Sequence, residues 1–292
     1  MQDFVHLHVH TQYSILDGQA SIPRLVDKAM ADGMKGIAVT DHGDMFGIKE
    51  FFNYVNKKNS STNSEIKDLK KRIAGLEKGT VECDNPEAEL VACKEKLETA
   101  KKKLFKPIFG CEMYVARRRL FNKEGKPDQS GYHLVVLAKN EKGYHNLIKL
   151  VSKAWTEGFY MRPRTDRVEL EKYHEGLIVC TACIAGEVPR NIIAGKYEEA
   201  EEAIQWYKRV FGDDFYLELQ RHKATVPRAN HEAYKLQQIA NEKLIEIDKK
   251  YKDKQVRTKE DKYVDEENAE EPYALFKARV DEDTGRDERS FR

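Results

Sequence analysis

Residues 4–10 set Phe4, Val5, Leu7 and Val9 among His6, His8 and His10. The apolar members favour a strand, and its two-residue period turns the three imidazoles to one face. Imidazoles side by side pack poorly in a core but are good ligands for a divalent transition metal. Asp17, one short loop later, could add a carboxylate oxygen. Taken alone, the stretch is more readily a half-buried strand with a solvated histidine face, so the other segments decide between the two.

The 292 residues carry 51 Lys and Arg against 50 Asp and Glu, a net charge of +1. No global field therefore draws in nucleic acid or acidic lipid, and any basic surface must be local. The length suffices for one large domain or two small ones. With no apolar signal core at the N-terminus and no apolar run long enough to cross a bilayer, a cytoplasmic protein without a membrane partner is expected. The five cysteines, Cys83, Cys93, Cys111, Cys180 and Cys183, are odd in number and unevenly spaced, which argues against a disulfide framework. Cys180 and Cys183 have Cys-x-x-Cys spacing, but no second pair completes a structural zinc site. The apolar lead-in Leu177, Ile178 and Val179 makes Cys180 a core residue and leaves Cys183 where the strand ends.

In chain order, Ile22, Leu25, Val26, Ala29 and Met30 have helical spacing, with Ser21 as N-cap, Pro23 in the first turn and Gly33 as the stop. Residues 36–40 form a short apolar strand running into Asp41, His42 and Gly43, and residues 46–55 a second helix. Strand, helix, strand, helix opens a parallel α/β fold. Residues 56–104 then depart from the rhythm. Ile66, Leu69, Ile73 and Leu76, and later Leu90, Cys93, Leu97 and Ala100, recur every three or four residues on either side of the breakers at 79–86. They predict an inserted antiparallel helical hairpin, its Lys and Glu a solvated face.

The α/β rhythm resumes with a strand at 107–115 that carries Glu112 mid-run, followed by Arg117, Arg118 and Arg119 on a loop. Strands follow at 132–138, 177–183 and 215–219, with helices at 143–155, 198–211 and 229–247. Residues 254–264 have the length of a closing strand but few apolar members. Residues 265–292 are dense in charge and read as a poorly packed tail.

In a (βα) barrel, reactive groups collect where the C-terminal ends of the strands meet the following loops. His8, His10, Asp17, His42 and Cys183 all stand at or just past a strand end, and Glu112 and His133 within or at the mouth of theirs. Mixed imidazole, carboxylate and thiolate donors suit Zn, Mn or Fe rather than Mg or Ca. A shared carboxylate such as Glu112 could bridge two ions, which together would activate a water and clamp an in-line phosphoryl displacement. Individually, His133 is as readily a core histidine, Glu112 an edge-strand carboxylate and Cys183 a small buried hydrophobe. No P-loop, Gly-x-Gly-x-x-Gly or Ser/His/Asp order offers a competing chemistry.

His8 and His10, Thr40 to His42, Gly110 with Glu112, His133 with Leu134, and the Cys183 strand end together resemble the polymerase and histidinol phosphatase (PHP) family. Residues 14–18 and 143–154 are similar to one branch of it, the N-terminal domain of bacterial replicative DNA polymerase III alpha subunits. The resemblance implies a distorted (βα)7 TIM-like barrel over residues 1–264, with the hairpin inserted, and two to three divalent transition metal ions at its mouth. By position the ligands would be His8, His10, Asp17, His42, Glu112, His133 and Cys183, with Asp41 behind them. In that branch the domain is a 3′→5′ proofreading exonuclease in some lineages and an inactive support in others. Its partners would be a DNA 3′ end, the remainder of the polymerase and other replisome subunits. Arg117, Arg119 or Arg221 would neutralise phosphate charge.

The family's last strand ends Asn-Asp-x-His, whereas the matching stretch here carries Glu260 and Lys262. Glu260 is a weak substitute ligand, and a protonated Lys262 has no lone pair to give. Incomplete occupancy follows, with the ion on Glu112, His133 and Cys183 the most secure. The chain also lacks the paired-aspartate palm motif of the polymerase and reads as an excised N-terminal module. Two alternatives stand beside this reading: a phosphatase of the histidinol phosphatase type, and an inactive platform for the polymerase.

Overall fold

A ten-residue strand with one buried carboxylate in its second half organises the sheet. The structure, a computed structural model, describes residues 4–15, 18, 20–220, 232–251 and 257–258. In chain order its elements are α1 (Ile22–Ala31), β1 (Gly36–Val39), α2 (Ile48–Lys58), α3 (Ser60–Glu77), α4 (Pro86–Lys103), β2 (Lys106–Val115) and α5 (Gly125–Asp128). Then come β3 (Tyr132–Ala138), α6 (Glu141–Thr156), β4 (Arg164–Thr165), α7 (Arg167–Lys172), β5 (Leu177–Cys180), α8 (Glu187–Ile193) and α9 (Tyr197–Phe211). The series ends with β6 (Phe215–Leu217), α10 (Glu232–Tyr251) and β7 (Arg257–Thr258).

The fold is mixed α/β. The sheet runs β1-β2-β3-β5-β6-β7, with β4 paired to β2 beside the end of β1. β1 and β2 are parallel, as are β5 with β6 and β6 with β7, while β3 is antiparallel to both β2 and β5. Among the described residues the path does not close, and the expected (βα)7 barrel is not confirmed. The antiparallel setting of β3 follows from residues 116–131. A parallel return needs a crossover of a dozen or more residues, usually helical, and this connection holds only the four-residue α5.

The two faces of the sheet separate by the strand period. Cys111, Met113 and Val115 of β2, Leu134 and Val136 of β3, and Leu177 and Val179 of β5 pack outward against α6, α8, α9 and α10 in the largest core cluster. Val135, Leu137, Ile178 and Cys180 turn to the opposite, inner face with Ala38 and Ala182. Glu112 lies between Cys111 and Met113, so the same alternation sends it inward. Gly110 lets the strands approach there, because a Cβ would meet the Thr40 methyl and the Leu137 side chain within 2.8 Å. α1 and α2 cover β1 through Ile22, Leu25, Val26, Phe51 and Val55.

α1 spans the expected residues and stops at Gly33, whose φ is +77°. The Ser21 side chain makes no capping bond, Pro at the first turn serving instead. α3 and α4 occupy the charge-rich stretch and bury little beyond Ile66, Leu76, Cys93 and Ala100. Asn59 fastens their base: its Nδ2 donates to the Phe105 carbonyl at 2.8 Å, and its Oδ1 accepts from the Phe105 N–H at 3.1 Å. The strands expected at 177–183 and 215–219 are shorter, ending at Cys180 and Leu217. The charged segment 265–292 lies outside the described residues. Among those described, no helix is long and apolar enough to cross a membrane.

Candidate metal centre

The N-terminal segment docks on β1 without becoming a regular strand. Ala38 N–H donates to the His6 carbonyl and Thr40 N–H to the Val9 carbonyl, both at 2.8 Å. Two residues on β1 thus answer three on its partner, an extra residue of the kind that interrupts a ladder. Thr40 Oγ1 takes up the Val9 N–H at 2.8 Å. The extra residue also breaks the predicted single face. His6 packs edge-on against Phe4, whereas His8 and His10 turn together toward the inner face of the sheet.

There they meet Glu112, whose carboxylate is fully buried. Its Oε1 lies 3.2 Å from His8 Nε2 and 3.0 Å from His133 Nδ1, and its Oε2 lies 3.3 Å from His10 Nε2 and 2.7 Å from His42 Nδ1. Cys183 Sγ is 3.7 Å from Glu112 Oε1 and 3.5 Å from His133 Nδ1. It is turned inward by Ala182, whose φ of +59° is a strained conformation for a residue with a Cβ. The backbone carries His42 to the same point, since Glu112 N–H donates to the Asp41 carbonyl and Gly43 N–H to the Glu112 carbonyl.

His8, His10, His42, Glu112, His133 and Cys183 are therefore brought together from five segments. Asp17, Arg221 and Glu260 lie outside the described residues. Asp41 does not face the cluster's interior. Its carboxylate accepts from Thr11 N–H at 2.6 Å, Thr11 Oγ1 at 2.8 Å and Ser14 Oγ at 2.7 Å, which makes it a brace for the segment carrying His10. Two of the arginines offered for phosphate are accounted for differently. Arg119 is held by Asp166 at 2.7 Å, while Arg117 lies over the Tyr132 ring at 5.3 Å, on the face of β3 opposite His133. Arg118, between them, is paired with Asp128 and Glu124.

Three residues take part that the pattern of the chain did not single out. Ser14 Oγ accepts the His42 N–H at 3.1 Å and lies 3.0 Å from His10 Nδ1. Because its own proton goes to Asp41, it must accept from His10, which fixes that tautomer with a lone pair on Nε2. Glu218 Oε1 sits 2.7 Å from His8 Nδ1 and accepts from Gln220 Nε2 at 2.9 Å. A carboxylate behind a histidine is the arrangement that orients metal-ligating imidazoles.

The electrostatics follow from this packing. Burial alone would depress His8, but the Glu218 and Glu112 carboxylates outweigh it and raise its pKa to about 10. His10, buried and facing His42, is lowered to about 3. Burial works against the charge on Glu112, yet His133, His42 and His8 hold its carboxyl well below the usual range. Burial pushes the Cys183 thiol well up, with Glu112 adding to it.

The donors fit a divalent cation. His8, His10 and Glu112 form one group and His42, Glu112 and His133 another, each with donor atoms within 4.8 Å of one another. Ligands bound at about 2.0–2.1 Å in tetrahedral geometry stand roughly 3.3 Å apart, close to the spacings here. His10 Nε2 and Glu112 Oε2 are also two acceptors facing each other across 3.3 Å, a contact that a cation turns from repulsion into ligation. Glu112 belongs to both groups and is placed to bridge.

A sheet with these donors on its inner face defines a candidate divalent-cation centre, and the chain belongs to the PHP domain family, whose model matches residues 6–222. It is similar to DNA polymerase III subunit alpha of Borreliella burgdorferi, 39% identical over 91% of this chain and 18% of the relative. The corresponding protein of Aquifex aeolicus is 35% identical over 94% of this chain and 19% of its own length, and that of Thermus aquaticus 33% over 91% and 18%. The chain thus spans about a fifth of the length of these relatives.

Two results are expected of the centre. Glu218→Gln should weaken metal binding by about 10–100-fold, the usual cost of losing the group behind a ligating histidine, as read by competition with a chromophoric chelator. Unchanged affinity would count against the positioning role. Second, an ion taking His8 Nε2 displaces the proton that a pKa of about 10 keeps there at neutrality, while Nδ1–H stays on Glu218. Affinity should therefore rise about tenfold per pH unit through the neutral range. A flat profile would show that His8 carries no proton for the ion to displace.

Proposed function

We propose that this chain is the PHP module of a bacterial replicative polymerase alpha subunit, and that the Glu112 centre is a phosphodiesterase acting on a DNA 3′ end. The carrying observation is the shared carboxylate, with His8 and His10 on one side and His42 and His133 on the other. Two or three zinc, manganese or iron ions held there would supply an activated water and neutralise charge in an in-line displacement at phosphorus. The chain's own residues do the rest. Ser14 and Glu218 fix the two N-terminal imidazoles, and Asp41 braces the loop that follows them.

Residues 1–264 form the catalytic unit in this reading, and the 56–104 hairpin stands apart from its chemistry. Glu260 and Lys262, replacing the family's Asp and His, leave the ion that depends on the last strand weakly held. The purified chain should therefore contain less than a full metal complement.

The test offers labelled single-stranded DNA and histidinol phosphate side by side, in manganese or zinc. Release of 3′ nucleotides, abolished by a chelator and by the His8→Ala, His10→Ala double variant, is expected. Phosphate release from histidinol phosphate alone would give the centre to a phosphatase of that type. Tight metal binding with neither activity would leave a structural platform.

A further inference from the structure

Beside the metal centre lies a group of exposed aromatic rings that the metal chemistry leaves unused. Phe46, Trp155 and Phe159 are 61%, 41% and 45% exposed, although burial is the default for such side chains. They form one surface: Phe46 and Trp155 have centroids 5.7 Å apart, and Trp155 and Phe159 are nearly parallel at 5.6 Å. The surface is anchored to the centre by a hydrogen bond, Trp155 Nε1 donating to the Gly43 carbonyl at 2.8 Å. Gly43 directly follows His42.

A cation completes the arrangement. Arg162 lies over the Tyr114 ring at 5.8 Å, and Tyr114 in turn stacks on His42 and meets His133 edge-on. Among the described residues Arg162 has no carboxylate partner, unlike Arg118, Arg119 and Arg167. It is presented by a tight turn in which Tyr160 N–H donates to the Arg162 carbonyl and Met161 is held at φ +62°. Strained backbone of this kind persists only where the surroundings impose it.

We propose that Phe46, Trp155 and Phe159 are a stacking platform for the unpaired bases of a nucleic-acid strand whose phosphates Arg162 guides toward the metal centre. Successive bases stack on aromatic rings without regard to sequence, while interleaved cations follow the backbone. A purely apolar protein contact would not require a cation without a carboxylate partner, held on a ring that touches two of the metal-binding histidines. The inference rests on the phosphodiesterase reading for its direction, since it assigns the strand that reaches that site.

The test is oligothymidylate titrated into the full chain in chelator, so that hydrolysis plays no part. Trp206 is almost buried and Trp155 is not, so stacking should quench the Trp155 emission, and the Trp155→Phe variant should show no quenching. Phe159→Ala should bind the strand about tenfold more weakly, the usual effect of removing one stacking ring, with an unchanged melting temperature. Arg162→Gln should bind more weakly and with a shallower salt dependence. Strand binding without quenching, or wild-type affinity in Phe159→Ala, overturns the platform. So does quenching by a separately added polymerase body in place of the strand, which would give the surface to protein docking. Quenching without any hydrolysis once metal is supplied leaves the platform standing and removes the phosphodiesterase reading alone.

Discussion

Glu112→Gln is expected to abolish metal uptake and to lower the melting temperature of the chelator-treated chain by roughly 10 °C. The carboxylate is fully buried and faces four imidazoles, one of which, His8, keeps its proton at neutrality. A neutral amide of the same shape removes one of the two carboxylates facing that buried cation and leaves Glu218 alone to balance it. Breaking a buried pair from one side costs about 3–5 kcal/mol, and each kcal/mol moves a domain of this size by about 2–4 °C. With metal present the gap should widen, because an ion at a hundred times its dissociation constant adds about 2.7 kcal/mol to the wild type only. The proposed hydrolysis should vanish with the metal. Calorimetric melts with and without chelator, beside elemental analysis, read both effects. A variant that melts like the wild type or keeps its ions would show that Glu112 is not the hub.

The hub is legible in the amino-acid sequence because of strand periodicity. Glu112 interrupts an apolar run, His133 begins one, and His42 and Cys183 follow the ends of two others. Such placements are costly in a core unless the polar groups are used, so the chain's own pattern marks them. The helices α1, α6 and α9 are legible for the complementary reason, their apolar residues recurring at three and four.

Strand direction is less accessible. Whether β3 runs with or against β2 depends on the connection between them, and the missing helical pattern in 116–131 is the available clue. The irregular path of residues 4–10 depends on Thr40 Oγ1 replacing a backbone acceptor, which no periodicity reports. Glu218 and Gln220 look like the tail of a strand, and Ser14 like an ordinary turn residue. Their roles come from tertiary neighbours more than two hundred positions away for His8, and from the competition of His10 and His42 for one hydroxyl.

Arg164 is hidden for the same reason, and its replacement should have the second large effect. Nothing in the pattern of Arg162, Pro163 and Arg164 marks a core position, yet Arg164 is completely buried. Its Nε donates to the Gly158 carbonyl at 3.1 Å, Nη1 to that of Asp128 at 2.7 Å, and Nη2 to those of Leu120 and Asn122 at 2.8 and 2.9 Å. One planar fork thus ties the 116–131 connection to the end of α6, and β4 holds it beside Tyr114 on β2. Arg164→Met would keep much of the volume but strand four buried carbonyls, each costing about 1–3 kcal/mol if left without a donor. Relaxation and water entry would recover part, so a loss of about 4 kcal/mol and roughly 10 °C is expected. Arg164→Lys should recover little, because a point charge cannot serve acceptors spread around a fork. Hydrogen exchange should quicken across 116–131 and 158–163. The proposed strand binding at the aromatic rings should fall with it while the metal content holds, since Arg162 rides on the loosened segment and Glu112 does not. Full rescue by lysine, or unaltered exchange in 158–163, would mean that the guanidinium fork is not what holds the rim of the site in place.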